Sequence, residues 1–468
     1  MAARASGVSS LEQVEAVLGN PAIYELAEVI ETESELGGRR LTYPTYMLLV
    51  YESLISVYRS ARRVETEIGH PLVWSFMREV VVARFAHDSE MWLPDEPMRR
   101  HHYLYGRDRY LVPNRELLRD LFEKISCRQA TGDLSLCAKD GPGSPTHPHP
   151  TRMLYADGKV VTPLFKAKPG TTKVDKTTGE VRQVRSEPDA ALHVTGSGEP
   201  AWGTKHVMVA TRGDDVHCRM ILSVSPVERP GQEAKVALER IGSLAAKLSG
   251  ATGVIYDGAF RGAHIAELMH DRGLLPVVPV QAKSGGKRAR KARVERSVRI
   301  GEASLRRADG TRITVQLYAE AGALCIGELD EAGAVVMTPL QRLKVEQRRN
   351  VDGTWRWYGV YSVPAPTGPG TVRVRLDTTD EDRARSFNRC EHLRAIPPSD
   401  PDYRRLCPMR SDAESINRHL DDTMWLSRAH SLGRDRQLVN LIGYGLAVNS
   451  LALHRYRRNL APPGALAA

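Results

Sequence analysis

The sequence is poor in several features that would narrow its function. Its six cysteines, Cys127, Cys137, Cys218, Cys325, Cys390 and Cys407, are scattered without a CxxC pair, a pattern that argues for free thiols in a reducing compartment. The opening Met-Ala-Ala-Arg-Ala-Ser-Gly-Val has no apolar core of the secretory kind. The longest apolar stretch, Leu438 to Leu453, is short for a membrane span and contains Asn440 and Asn449; it reads as a buried C-terminal helix. Cys127, Cys137, His147 and His149 do not match the spacing of common zinc modules. There is no internal repeat. Lysine is scarce, with 14 Lys against 52 Arg, so arginine abundance by itself is weak evidence for nucleic-acid binding. What is present is length and positive charge: 468 residues, enough for two to four domains, and a formal net charge of +10, which favours a polyanionic partner.

Periodicity divides the chain into five stretches. Residues 1–137 are expected to be an N-terminal helical region, with apolar residues at helical spacing in Leu11–Ile30, Tyr46–Arg63 and Val73–Phe85. Asn20-Pro21, Tyr43-Pro44 and His70-Pro71 mark boundaries between those helices. Residues 138–151, rich in Pro and Gly, read as a linker. From 152 to 282 the pattern alternates strand and helix. Met153–Leu164 is a strand or hairpin, residues 166–203 a polar loop, and Lys205–Thr211 and Val216–Val224 two strands joined by Arg-Gly-Asp-Asp. An amphipathic helix over Gln232–Ser249 follows, then a short strand at Gly253–Tyr256, a helix at Arg261–Arg272 and a strand at Leu275–Val280. Residues 283–405 read as a β-rich insertion, and 406–468 return to helix over Asp412–Asp422 and Arg436–Arg457. Three strands in hairpin order, then alternating helix and strand, is the order of a ribonuclease H-like core, so the expected class is α/β: a ribonuclease H-like mixed sheet with helices, a β-rich insertion and an N-terminal helical domain.

Three acids stand where such a core would place metal ligands. Asp157 lies within the apolar run Met-Leu-Tyr-Ala-Asp-Gly-Lys-Val-Val, Asp257 ends Thr-Gly-Val-Ile-Tyr-Asp-Gly, and Glu414 sits at a helix start in Arg-Ser-Asp-Ala-Glu-Ser-Ile-Asn. Carboxylates suit magnesium, which prefers oxygen ligands and leaves positions open for substrate phosphate. Each acid also has a plainer explanation. Asp157-Gly158 is a hairpin-turn signal, Asp257 could cap the next helix, and Ser411-x-x-Glu414 fits a capping box.

These segments resemble the DDE transposases of bacterial insertion sequences, in the subgroup with a β-rich insertion before the glutamate. The resemblance is carried by Tyr155-Ala-Asp-Gly-Lys, Gly203-Thr-Lys-His-Val-Met-Val-Ala and Val254-Ile-Tyr-Asp-Gly-Ala-Phe-Arg-Gly, with Arg272-Gly-Leu-Leu-Pro-Val-Val-Pro-Val and Arg410-Ser-Asp-Ala-Glu-Ser. Glu187-Pro-Asp-Ala is similar to a further element of related enzymes. The chain departs from the pattern where Cys407 and Asp421 occupy positions that often hold Tyr and Lys. The resemblance covers roughly residues 150–460. It implies that Asp157, Asp257 and Glu414 hold two Mg²⁺ ions, with Mn²⁺ as a substitute, Asp157 bridging both. It also implies binding of inverted terminal repeats, cleavage of transposon ends and strand transfer into target DNA. The protein would act as a homodimer in the bacterial cytoplasm, associated with the nucleoid and not with a membrane. Two alternatives use the same core: a catalytically inactive transposase-derived DNA-binding protein, and a structure-specific nuclease.

Further residues are expected at DNA. Arg410, one turn before Glu414, contacts a phosphate or pairs with a nearby acid; Arg418 and His419 share its helix and face either DNA or solvent. The run Lys283–Arg312 holds eleven Lys/Arg and three acids, so Lys287, Arg288, Arg290 and Lys291 are expected to touch phosphates without reading sequence. Trp355 and Trp357, at i and i+2, share a face of the insertion. The resemblance implies a tryptophan there that stacks on a flipped base, and packing inside the insertion's own core is the other reading.

Overall fold

The computed structural model describes residues 9–33, 41–194, 199–215, 218–280, 291, 296–306, 310–329, 335–364 and 370–460. Seven helices come first: α1 Ser10–Leu18, α2 Pro21–Glu33, α3 Tyr46–Tyr58, α4 Ala61–Ile68, α5 Pro71–Arg84, α6 Arg100–Gly106 and α7 Arg115–Gly132. Their starts follow from sequence. Ser9 and Glu12 form a capping box at α1, Ser60 caps α4, and Pro71 occupies the first turn of α5, where its missing N–H costs nothing.

Strand β1, Met153–Val161, is followed by β2 Thr172–Val174, β3 Val181–Gln183, β4 Ala191–Val194, β5 Pro200–Arg212 and β6 Arg219–Val227. Then come α8 Glu233–Lys247, β7 Gly253–Ile255, α9 Gly262–His270 and β8 Leu275–Val277. The insertion supplies β9 Val298–Arg306, β10 Arg312–Glu320, β11 Ala323–Leu329, β12 Val335–Pro339, β13 Gln341–Arg349, β14 Trp355–Val363 and β15 Gly370–Arg375. The chain closes with α10 Asp380–Ala384, α11 Arg389–His392, α12 Pro401–Leu406, α13 Ser411–Thr423 and α14 Arg434–Leu460. The protein is thus a mixed α/β molecule. Among the described residues no helix is long and apolar enough to cross a membrane.

Two compact units emerge, and they do not follow the five stretches read from periodicity. The first comprises residues 1–135, 158–236 and 414–468; the second comprises 136–157 and 237–413. In the first, β5 and β6 form the expected antiparallel hairpin, with β4 on the far end of β5. β5 also lies beside the last residues of β1. That approach is close: a Cβ at Gly203 would meet the Val161 carbonyl oxygen at 2.2 Å, so the position admits only glycine. Helices α1, α3 and α7 pack with α14 over β6 in one apolar core that includes Val17, Leu49, Phe122, Ile221, Ile442 and Leu446. The N-terminal helices therefore cover this sheet and α14. They do not form a separate body, because α14 is apolar on most of its circumference between Gln437 and Leu453 and needs cover on several sides.

In the second unit the first residues of β1 pair in parallel with β7, and β7 in parallel with β8. The insertion forms a four-stranded antiparallel sheet, β12–β11–β10–β9, and a three-stranded one, β13–β14–β15. Residues 138–151, expected as a linker, are tied into this unit. Arg342 of β13, almost wholly buried, pairs with Asp400 at 2.6 Å and Asp402 at 2.8 Å and donates to the Thr146 carbonyl. Arg152 donates to the carbonyls of Gly250 and Gly141 at 2.7 and 3.0 Å.

Candidate functional site

The two aspartates lie in the second unit. β1 runs unbroken from Met153 to Val161, so Asp157-Gly158 is strand interior and the hairpin-turn reading fails. Met153 to Ala156 are buried and Asp157 is partly exposed; the strand meets solvent at the acid. On the neighbouring strand Gly253 to Tyr256 are buried and Asp257 is again the first partly exposed residue. The β1–β7 register pairs Met153 with Gly253, Leu154 with Val254 and Tyr155 with Ile255. Carried two residues further, it sets Asp157 opposite Asp257. Adjacent strands are about 4.8 Å apart, and residues in register point to the same face. Asp157 thus lies in mid-strand where β1 leaves its pairing with β7, and Asp257 lies two residues past the end of β7, near the carboxyl edge of the parallel pair, where ligands bind in open α/β sheets.

Asp257 is not a helix cap, since α9 starts at Gly262 behind Arg261. Its Oδ1 accepts the Ala259 N–H at 2.7 Å, a short local turn that orients the carboxylate as the strand ends. Paired carboxylates suit a hard divalent cation, since oxygen is the ligand such ions prefer. Among the described residues no cluster of three or more His, Cys, Asp or Glu side chains is gathered as a metal site.

Glu414 belongs to the first unit, exposed on α13. Ser411 is already helical, at φ −56° and ψ −17°, so it is not the extended residue a capping box requires. Helix α13 is tied to its own unit by Lys159, which pairs with Asp421 at 2.5 Å, and by Arg219, which donates to Ser415 at 2.6 Å. Asp421 thus has Lys159 of β1 as its partner. Arg410 ends a short 3₁₀ turn, partly exposed, and Arg418 is exposed on α13.

The tryptophans separate. Trp357 is completely buried, and its Nε1 donates to the Met269 carbonyl at 2.6 Å. A ring in that position has no face to offer a base, which corrects the DNA-binding role expected for it. Trp355, partly exposed, lies against Gly273, which has a φ of +64°, with the Arg349 guanidinium 5.7 Å from its ring. Of the basic run, Lys287, Arg288 and Arg290 lie outside the described residues, and Lys291 is exposed.

One element gains a structural role that its spacing did not suggest. Glu187 accepts the Gly433 N–H at 3.0 Å and the Gln437 side-chain amide at 2.9 Å, while Asp189 accepts the Arg434 N–H at 2.9 Å. The Glu-Pro-Asp-Ala segment thus caps α14 through two carboxylates. The chain matches no protein-family model and no curated protein sequence.

Proposed function

We propose that the chain is a divalent-cation-dependent DNA transposase built on a ribonuclease H-like core, as the sequence resemblance implies. The observation that carries the reading is the parallel β1–β7 register, which ends with Tyr155 opposite Ile255 and is followed on each chain segment, two residues on, by an aspartate, Asp157 and Asp257. The topology supports it: the acid-bearing strand lies beside the antiparallel β5–β6 pair, and two strands entered through helices pair in parallel. Glu414 is the third acid of the proposed set, carried on α13.

In this reading Asp157 and Asp257 supply the oxygen ligands that hold magnesium at the strand ends. When bound, the ions activate a nucleophile and stabilise the leaving oxygen of a phosphodiester. Asp257 reaches that role with one oxygen already fixed by the Ala259 N–H, so its carboxylate needs little reorganisation. Water cuts first and frees a 3′-hydroxyl at the transposon end; that hydroxyl then attacks target DNA. The partners are the transposon ends and the target, with two copies of the chain pairing the ends.

The test uses labelled duplexes carrying the imperfect inverted repeats sought in the DNA that flanks the gene. With Mg²⁺ or Mn²⁺ the full chain should yield cut and joined products. Asp157→Asn, Asp257→Asn and Glu414→Gln should each retain DNA and yield neither product. Full cleavage by Asp257→Asn removes that residue from the site. Cutting without joining marks a nuclease, and retention without any product marks a DNA-binding protein.

A further inference from the structure

The three-stranded sheet of the second unit has two unlike faces. Odd-numbered residues of β14 point inward: Trp357, Gly359, Tyr361 and Val363 are buried, with Val345, Val372 and Val374 of the flanking strands on the same side. The opposite face is set by register. Arg356, Tyr358 and Val360 of β14 lie opposite Arg348, Glu346 and Lys344 of β13. On the other flank Tyr358 and Val360 lie opposite Arg375 and Arg373 of β15. Residues directly opposite each other share a face, so the paired positions of this face hold Lys344, Arg348, Arg356, Arg373 and Arg375 with one acid, Glu346, and Asp377 follows just past β15.

Those cations are not equally satisfied. Glu346 is shared by Lys344 at 3.0 Å and Arg373 at 3.1 Å, and Arg375 pairs with Asp377 at 2.5 Å. Arg348 and Arg356 face each other across adjacent strands, both exposed, and neither side chain forms a salt bridge or hydrogen bond with a described residue. Arg356 feels Asp352 of the β13–β14 turn only through space, and that carboxyl is held low chiefly by Thr354. Like charges directly opposite in a sheet destabilise it, and an anion laid across the pair relieves the repulsion. Tyr358 keeps the centre of the face flat and rigid. The Arg373 guanidinium lies 3.5 Å from its ring centroid and that of Arg375 5.5 Å, so both cations are spread over the ring.

We propose that this face of β13–β15 binds the phosphate backbone of duplex DNA, independently of base sequence, with Arg348 and Arg356 as its principal contacts. That the ligand is a polyanion follows from the charge of the face; that it is DNA rests on the transposase reading. Its residues are other than Asp157 and Asp257 and other than those of the run Lys283–Arg312.

The experiment measures binding of the full chain to a fluorescent duplex of arbitrary sequence, in EDTA, across a series of KCl concentrations. Each lost phosphate contact reduces the slope of log affinity against log salt by about 0.9. Arg348→Gln with Arg356→Gln should therefore flatten the slope by roughly 1.8. Arg348→Lys with Arg356→Lys should keep it. Arg182→Gln, which removes an exposed cation of the first unit paired with Glu180, should leave it unchanged. An unaltered slope in the double glutamine variant overturns the proposal. So does a wild type that fails to bind the duplex, or a slope change confined to duplex RNA. The strand-transfer assay separates the two ideas. A normal slope in the glutamine variant beside intact cutting and joining by the wild type sinks the face and leaves the transposase reading. A flattened slope beside a wild type that never cuts sinks the transposase reading and leaves the face.

Discussion

His206 has no accessible surface, and neither ring nitrogen has a hydrogen-bond partner among the described residues. Burial, with Arg434 and His193 adding positive charge nearby, holds its pKa down to about 3. The unfolded ring takes a proton below about pH 6.5, whereas the folded one stays neutral until near pH 3. The unfolded state thus binds the extra proton across this window, and stability falls by about 1.4 kcal/mol per pH unit as the solution is acidified. His430, held down to about 4 by burial, contributes in the same direction over the upper part of the window. His206→Leu should flatten the acid limb of stability by about one proton between pH 6 and 4, read from urea midpoints. At pH 7 it should be neutral or stabilising, because two unsatisfied polar atoms leave the core. A variant whose acid limb matches the wild type would show that His206 already carries its proton or is hydrated in solution.

The same logic of burial applies to whole elements. Helix α14 begins inside the first unit, where its first N–H groups would be costly without partners, and Glu187 and Asp189 supply them. Burial raises the Glu187 pKa while the Gly433, Asp189 and Gln437 hydrogen bonds oppose the rise. Asp189→Ala should cost about 1 kcal/mol, as for an ordinary lost cap. Glu187→Ala should cost about 1–3 kcal/mol, since a backbone N–H and a buried amide lose their acceptor together. Urea unfolding measures both, and equal small losses would mean that the network re-forms around water. Much of this layer was readable in the sequence. Apolar spacing marked the long helices, Arg-Gly-Asp-Asp marked the β5–β6 hairpin, and alternation marked β10, β14 and β15. The short strands β2–β4 escaped because exposed three- and four-residue strands have almost no apolar period. Residues 138–151 read as a linker because the sequence does not show that Arg342, some 200 residues away, holds Thr146. Asp157 and Asp257 were visible as acids closing apolar runs. That they follow strands paired in parallel was not, because that depends on Met153 pairing with Gly253 and on no property of either acid. Trp355 and Trp357 share a strand face, yet only the second is fully buried, a distinction made by α9 and the Met269 carbonyl.

At the scale of the molecule, the chain passes between its two units at residues 135/136, 157/158, 236/237 and 413/414. One of these passages falls immediately after Asp157, so the strand that carries the first aspartate belongs to both units. Asp157 and Asp257 therefore bear on the stability of the protein as well as on its chemistry. If the β1–β7 register is carried on to Asp157 and Asp257, the two carboxylates repel when no cation lies between them. In EDTA, Asp157→Asn and Asp257→Asn should each melt at or above the wild-type temperature, because one charge of the pair is gone. Added Mg²⁺ should raise the wild-type melting temperature, by an amount equivalent to about 2.7 kcal/mol at a hundredfold excess over its dissociation constant. It should barely move either variant. The order of stability thus reverses between EDTA and magnesium, an outcome that general salt effects cannot imitate, since they act alike on all three proteins. Scanning calorimetry of the wild type and both variants in matched ionic strength decides the matter without any DNA present. Parallel magnesium responses in all three would mean that the two aspartates hold no cation.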